Sequence, residues 1–166
     1  MTMRHVISVL MENESGALSR VVGLFSARGY NIESLSVAPT DDESLSRLTL
    51  VTRGSEQIIE QILKQLNKLI EVVKVTDLSD FQHVEREMML IKLEAKQAES
   101  VTMIKQIADV FRGKIIDLSH KTFTIEISGK SEKLDAFIDA MSEQTIIEVV
   151  RSGCIGIARG SVALKV

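Results

Sequence analysis

ENESGALSRVVGLFSARGYNIESL, residues 12–35, is the stretch from which the rest of the chain can be interpreted. It follows an apolar run at residues 6–11 and opens with polar residues that favour loops and helix caps. Apolar residues then recur with the spacing of one helical face, at Leu18, Val21, Val22 and Phe25. Arg28 and Gly29 form a basic last turn and a C-terminal glycine. The stretch therefore predicts a strand, a helix of about three turns and a second strand that opens near Asn31.

The start of this helix has the features of a site for a small anion. N–H groups in the first turn have no partner inside a helix, and the aligned peptide dipoles favour a carboxylate there. Gly16 and Ala17 leave room for a ligand, and the amide oxygen of Asn13 could accept a hydrogen bond from an ammonium group. Together these features suit a free amino acid. The alternative is that Asn13 or Ser15 only caps the helix and that Gly16 only eases the turn.

Asn31 suggests that such a site is shared between two subunits. A helix of about three turns is roughly 20 Å long, so Asn31 and Asn13 cannot contact one small ligand within a single subunit. If the helices of two subunits pack antiparallel, the Asn31 end of each approaches the Asn13 end of the other. We therefore expect a homodimer that completes the site.

The hydrophobic pattern of the whole chain predicts an α+β fold of two consecutive βαββαβ ferredoxin-like domains. The first domain is predicted at residues 1–78 and the second at residues 84–166, with a polar linker at residues 79–83. Both domains end their first helix with Arg-Gly, which indicates an internal repeat. The second copy has Ile115 where the first has Asn31, so only the first keeps the polar binding features.

Composition and the remaining motifs exclude several classes of function. The 166 residues carry 20 Lys and Arg against 23 Asp and Glu, a balance that favours neither nucleic acid nor an anionic membrane surface. A single cysteine, Cys154, and the lack of a signal segment or membrane span indicate the cytoplasm. The scattered histidines predict no metal site, and the central strands lack the aromatic residues of RNA-binding sheets. Glu85 and Glu87 could pair as acid and base, although a solvated strand end is the simpler interpretation.

Residues 12–35 closely resemble the ACT domain of the regulatory small subunit of acetohydroxyacid synthase, also called acetolactate synthase. Similarity to that family continues at residues 37–40, 45–47, 84–87, 111–113, 133–137 and 150–153. The resemblance therefore covers nearly the whole chain, including its two-part layout.

The resemblance implies a regulatory chain that performs no chemistry itself. It implies a large catalytic subunit as partner, which would carry thiamine diphosphate, magnesium and FAD, while this chain would hold no cofactor. It further implies paired ACT domains with an effector, usually valine, at their interface and feedback inhibition of branched-chain amino-acid synthesis. The expected effector-binding residues are Asn13, Ser15, Gly16, Ala17, Leu18, Asn31 and Ile32. No catalytic residue and no metal ligand is expected.

Two other functions remain open on the sequence. ACT domains serve many enzymes, so the chain could be an amino-acid sensor for a different metabolic enzyme, which co-purification of another partner would reveal. It could also be a stand-alone enzyme on the repeated fold, which turnover of a keto acid by the isolated chain would reveal.

Overall fold

The chain folds into two units, each built around an antiparallel sheet. The computed structural model describes residues Met1–Val166. The first unit comprises Met1–Glu85 and Cys154–Val166, and the second comprises Arg86–Gly153.

The first unit has the predicted order of strands and helices. Its elements are β1 (Met3–Glu12), α1 (Ala17–Ala27), β2 (Ile32–Pro39), β3 (Leu45–Gly54), α2 (Glu56–Asn67), β4 (Val72–Asp77) and a 3₁₀ turn (Leu78–Asp80). The strands pair in the order β2-β3-β1-β4. Ser55 caps α2 by accepting a hydrogen bond from the N–H of Ile58, as a serine before an apolar helical pattern predicts.

The helices of the first unit bury one face of this sheet. Ile7 and Val9 of β1 pack with Val21 and Phe25 of α1 and with Leu66 of α2 in one apolar cluster. The buried residues of α1 are Ala17, Val21 and Phe25, whereas Leu18 is 36% exposed. The inner face of α1 therefore keeps the predicted Val21 and Phe25, but it begins at Ala17 and not at Leu18.

The second unit has the same topology. Its elements are β5 (His83–Glu94, which begins in the first unit), α3 (Ala98–Val110), β6 (Lys114–Leu118), β7 (Thr122–Gly129), α4 (Ser131–Ala140) and β8 (Ile146–Arg151). The strands pair in the order β6-β7-β5-β8, which matches the first sheet strand for strand. The predicted α+β fold of two βαββαβ ferredoxin-like repeats is thus confirmed.

The C-terminal segment departs from the predicted domain boundaries. Residues 154–166, which the sequence placed in the second domain, belong to the first unit and contain a further strand, β9 (Ile155–Ala158). β9 pairs with β5, and the N–H of Arg159 donates to the carbonyl oxygen of Gln82 at 2.8 Å. The predicted linker at residues 79–83 contains part of the 3₁₀ turn, whose first residue, Leu78, is buried.

This segment explains why β1 is apolar on both faces. Val6 of β1, Val51 of β3, Leu78 and Cys154 form a second buried cluster of the first unit. Gly156 permits the close approach, because a Cβ there would lie 2.8 Å from Cδ1 of Leu78. The face of the second sheet that lies opposite its helices is instead open, with Met88, Leu90 and Val150 exposed.

The Arg-Gly pair that follows both α1 and α3 has a different backbone conformation in the two places. Gly29 adopts φ +69° after α1, as a C-terminal glycine should. After α3 the positive φ, 56°, falls on Arg112. Gly113 serves packing there, because a Cβ on it would lie 3.0 Å from Cγ2 of Ile125.

No helix in the structure combines the length and the apolar character that crossing a membrane requires.

Candidate effector site at the start of helix α1

Gly16 precedes α1 in a left-handed conformation, with φ 88° and ψ −11°. A side chain at this φ is strained, so the turn favours glycine. The N–H of Ala17 donates to the carbonyl oxygen of Glu14 at 3.3 Å, and no side chain caps the helix. The N–H groups of Leu18 and Ser19 follow in the first turn, where a helix offers them no internal acceptor. The start of α1 therefore has backbone donors and a positive dipole end available to an anion.

Asn13 does not cap the helix. Its side-chain Nδ2 donates to the carbonyl oxygen of Glu43 at 2.9 Å, and its backbone N–H donates to the carbonyl oxygen of Ser44 at 2.8 Å. These bonds hold the end of β1 against the loop that leads into β3. One N–H of Nδ2 is used in this way, and the amide oxygen of Asn13 could accept a hydrogen bond from an ammonium group, as the sequence suggested.

Arg20 is a residue of this region that the sequence analysis missed. Its guanidinium lies beside Gly16, with Nη1 3.3 Å from the point where a Cβ on Gly16 would sit. The same Nη1 is 2.9 Å from a carboxylate oxygen of Glu71. The available signal was its position four residues after Gly16, which places both on one side of a helix. Arg20 thus places a guanidinium, paired with Glu71, beside the helix start.

The structure gathers five of the predicted residues at one end of α1. Asn13, Ser15, Gly16 and Leu18 are exposed there, whereas the side chain of Ala17 is buried in the core. Ala17 can therefore contribute its backbone and its small size but no side-chain contact.

Asn31 and Ile32 lie at the other end of the helix. α1 has 11 residues, which corresponds to about 16 Å. The side chain of Asn31 is exposed, and its carbonyl oxygen accepts a hydrogen bond from Oγ1 of Thr52 at 2.6 Å. Ile32 is half-buried against the first apolar cluster. Within one chain, then, the predicted residues form two separate groups.

A groove runs along the outer side of α1 between these two ends. It has a volume of about 590 Å³ and is lined by Arg20, Leu24, Ala27, Arg28 and Leu69. Three of the five lining residues are apolar and two are arginines, a combination that suits packing against another helix.

Glu85 and Glu87 both serve ion pairs in the structure. Glu85 accepts two hydrogen bonds from the guanidinium of Arg4, the shorter at 2.8 Å, and this contact lowers its pKa to about 2. Glu87 accepts from Nε of Arg151 at 2.7 Å, and this bond together with one from Ser131 lowers its pKa although burial opposes the shift. Both carboxyls are therefore ionised at neutral pH, which suits structural roles and not that of a general acid.

Cys154 and the histidines also have structural surroundings. The Cys154 thiol donates to a carboxylate oxygen of Glu85 at 3.1 Å, and burial followed by this contact raises its pKa to about 12. His5 and Asp77 form a buried pair, with Nδ1 and Oδ2 2.6 Å apart. No group of three or more His, Cys, Asp or Glu residues is arranged to hold a metal ion.

Comparisons with known proteins place this geometry in a family. Residues 7–74 match the profile of the AHAS small subunit-like ACT domain, and residues 86–160 match that of the small subunit of acetolactate synthase. The acetolactate synthase small subunit of Haemophilus influenzae is 56% identical over 159 residues, covering 95% of this chain and 97% of that protein. This chain belongs to the family of acetolactate synthase small subunits.

Other members of the acetolactate synthase small-subunit family share the full length of the chain. The isozyme 3 small subunit of Escherichia coli K12 is 51% identical over 164 residues, which is 98% of this chain and 100% of that protein. The crystal structure of the small subunit from Thermotoga maritima superposes with a TM-score of 0.87 at 40% identity, covering 96% of this chain and 99% of that one. Both βαββαβ repeats are therefore features of the small-subunit fold.

Proposed function

We propose that this chain is the non-catalytic regulatory subunit of acetolactate synthase in branched-chain amino-acid biosynthesis. It binds a large catalytic subunit in the cytoplasm, raises its activity and makes it subject to feedback inhibition by valine. Thiamine diphosphate, magnesium and FAD would belong to the catalytic subunit, and this chain would contribute none of them. The observation that carries the proposal is the uncapped start of α1 at Gly16, with Arg20 beside it, in a member of this family.

The groups at this helix start match the two polar ends of a free amino acid. The carboxylate would accept hydrogen bonds from the first-turn N–H groups, where a helix favours an anion by about 0.3–1 kcal/mol, or up to about 2 kcal/mol when partly buried. The guanidinium of Arg20, which is paired with Glu71, still has N–H groups that could donate to the carboxylate, and the amide oxygen of Asn13 can accept from the ammonium group. Burial of a valine side chain would add roughly 1.5–3 kcal/mol.

The effector site is proposed to be completed by a second copy of the chain. Asn13 and Gly16 stand at one end of α1 and Asn31 and Ile32 at the other, so one small ligand cannot contact both groups in a single subunit. An antiparallel pairing of two α1 helices would bring each Asn31 to the partner's Gly16. The groove along α1, with its three apolar lining residues, is a surface on which such a helix could pack.

The selectivity of this site among branched side chains should be modest. One methylene in an apolar pocket is worth about 1–3 kcal/mol. We therefore expect valine to bind best, leucine and isoleucine to bind within a modest factor, and alanine to bind clearly more weakly. Equal affinity for alanine and valine, measured by calorimetry, would contradict a site that recognises the side chain.

Calorimetric titration with valine tests the location of the site. The variant Gly16→Asp places a carboxylate where the carboxylate of the ligand should lie, next to the guanidinium of Arg20. Gly160→Asp is its matched control, because Gly160 also has a positive φ, 72°. It belongs to the C-terminal segment, which covers the face of the sheet opposite α1. We expect valine binding to be lost in Gly16→Asp and kept in Gly160→Asp. Loss in both variants or in neither would overturn this location.

Reconstitution with the catalytic subunit tests the regulatory role. Acetolactate formation by the catalytic subunit should increase when this chain is added, and valine should then inhibit it. In the complex containing Gly16→Asp, activation should remain while inhibition by valine disappears. A chain that binds valine but leaves the catalytic subunit unchanged would instead be a sensor for another enzyme.

A further inference from the structure

The C-terminal segment and the sheet of the first unit enclose a cleft that is separate from the start of α1. It lies on the face of the sheet opposite the two helices, and its volume is about 620 Å³. Its floor includes Arg47 of β3 and Lys74 of β4, and its other wall is formed by residues 157–158 and 160–165. Pockets of roughly 300–1,000 Å³ are typical of small-molecule sites.

The register of the sheet brings two cations to this face. Leu10 of β1 is paired with Arg47 on one side and with Lys74 on the other. All three side chains therefore lie on the same face, and at a strand spacing of about 4.8 Å the Cα atoms of Arg47 and Lys74 are roughly 10 Å apart. Lys165 lines the same cleft from the C-terminal segment.

These positive charges have no carboxylate beside them in the cleft. Arg47 donates from Nε to the hydroxyl of Ser8 and from Nη2 to the carbonyl oxygen of Gly156, each at 2.9 Å, and both acceptors are neutral. No Asp or Glu is among the residues that line the cleft. Burial lowers the pKa of Arg47, as expected for a cation withdrawn from water without a counter-ion. A bound anion would supply that counter-ion.

The remainder of the lining is mostly apolar. Leu78 and Phe81 contribute to one wall and Ile157 to the other. An anionic head group near the three cations would leave the body of a ligand against these side chains. Recognition would thus combine charge with burial of a hydrocarbon chain or ring.

We propose that this cleft binds a small organic anion with a carboxylate or phosphate head group and an apolar body. The proposal is independent of the effector site at Gly16, since it involves the opposite face of the sheet and different residues. The ligand would bridge the sheet and the C-terminal segment, because Lys74 belongs to one and Lys165 to the other.

Titration of the isotope-labelled full-length chain with three aryl probes tests the proposal. Phenyl phosphate and phenylacetate share the ring and differ in the anionic group, and phenethylammonium carries the opposite charge. We expect at least one anion to bind and to shift the amide signals of residues 157–165 in NMR spectra, whereas the cation should not bind. The preferred anion would show whether a phosphate or a carboxylate is recognised. Equal binding of the cation, or no binding of either anion, would overturn the proposal.

A matched pair of variants localises the binding. The double variant K74Q/K165Q removes two cations of the cleft, and Lys68→Gln removes one exposed cation outside it. Loss of charge-assisted hydrogen bonds should weaken binding of the preferred anion by about tenfold or more in the double variant. Lys68→Gln should leave the affinity within about twofold. Unchanged affinity in K74Q/K165Q, or equal weakening in both variants, would contradict binding in the cleft.

Discussion

Arg47 of β3 donates a hydrogen bond from Nη2 to the carbonyl oxygen of Gly156, 109 residues further along the chain, at 2.9 Å. The same guanidinium donates from Nε to Ser8 of β1. The contact joins the C-terminal segment to the sheet of the first unit and covers a face that the helices leave bare. The stability of the first unit should therefore depend on residues that lie far away in the sequence.

Replacement of Gly156 should release this segment. In Gly156→Val the new side chain would meet Cδ1 of buried Leu78, which lies only 2.8 Å from the Cβ position. Overpacking of this kind costs about 1–3 kcal/mol, and urea denaturation should show a loss of that size in the free energy of unfolding. The control Gly23→Val adds the same side chain in open space on α1 and should change stability by less than about 0.5 kcal/mol. Equal stability of the two variants would contradict tight packing at Gly156.

The ion pair between Arg4 and Glu85 should make the first unit sensitive to acid. The guanidinium of Arg4 lowers the folded-state pKa of Glu85 from 4.5 to about 2. A carboxyl with a lowered pKa stabilises the fold above its unfolded pKa, and this contribution is lost as the pH falls from 4.5 towards 2. The difference in urea midpoint between about pH 5 and about pH 3 should be smaller in Glu85→Gln than in the native chain. Glu14→Gln, an exposed control, should keep the native difference, and a Glu85→Gln profile equal to the native one would refute the assignment.

Arg151 should be a main source of stability in the second unit. It donates to Glu87 from Nε at 2.7 Å and to Asp135 from Nη1 at 2.6 Å, and Glu87 is only 7% exposed. Arg151→Ala leaves a buried carboxylate without its cation, which we expect to cost about 3 kcal/mol in urea denaturation, the low end of the range for a broken buried pair because Arg151 is itself 30% exposed. Lys92→Ala breaks the exposed pair with Glu148 and should cost less than about 1 kcal/mol. Similar losses of unfolding free energy in Arg151→Ala and Lys92→Ala would contradict a special role for the buried pair. Recovery of stability in R151M/E87M would support that role.

Mixed dimers can show whether two subunits share each effector site. Gly16→Asp and Asn31→Ala should each abolish or weaken valine binding when purified alone. A heterodimer of the two variants would contain one site with both residues altered and one site with both residues native. Calorimetry on the mixture should therefore recover native affinity at a fraction of the sites. If each site lies within one subunit, mixing would recover nothing.

The fold could be predicted from the sequence because its strands and helices follow from patterns among neighbouring residues. The repeated order of apolar runs, the serine before α2 and the glycine after α1 correspond to the observed elements. The polar loop at residues 13–16 likewise contains the residues that the structure gathers at the helix start. Arg20 could not be predicted as a site residue, because a charged residue on an amphipathic helix forms no distinctive sequence pattern. Only its proximity to Gly16 in the structure distinguishes it from other charged residues.

By itself the sequence determined what depends on neighbouring residues, namely the alternation of strands and helices, their caps and the two-copy layout. Only the tertiary structure decided which unit residues 154–166 join and which residue after α3 takes the positive φ. The apolar run of β1, which only Ser8 interrupts between residues 6 and 11, is typical of a strand covered on both faces but does not identify the cover. The physical reason is that hydrophobic periodicity reports which side of an element is buried, whereas the partner depends on shape complementarity between distant residues, such as Gly156 and Leu78.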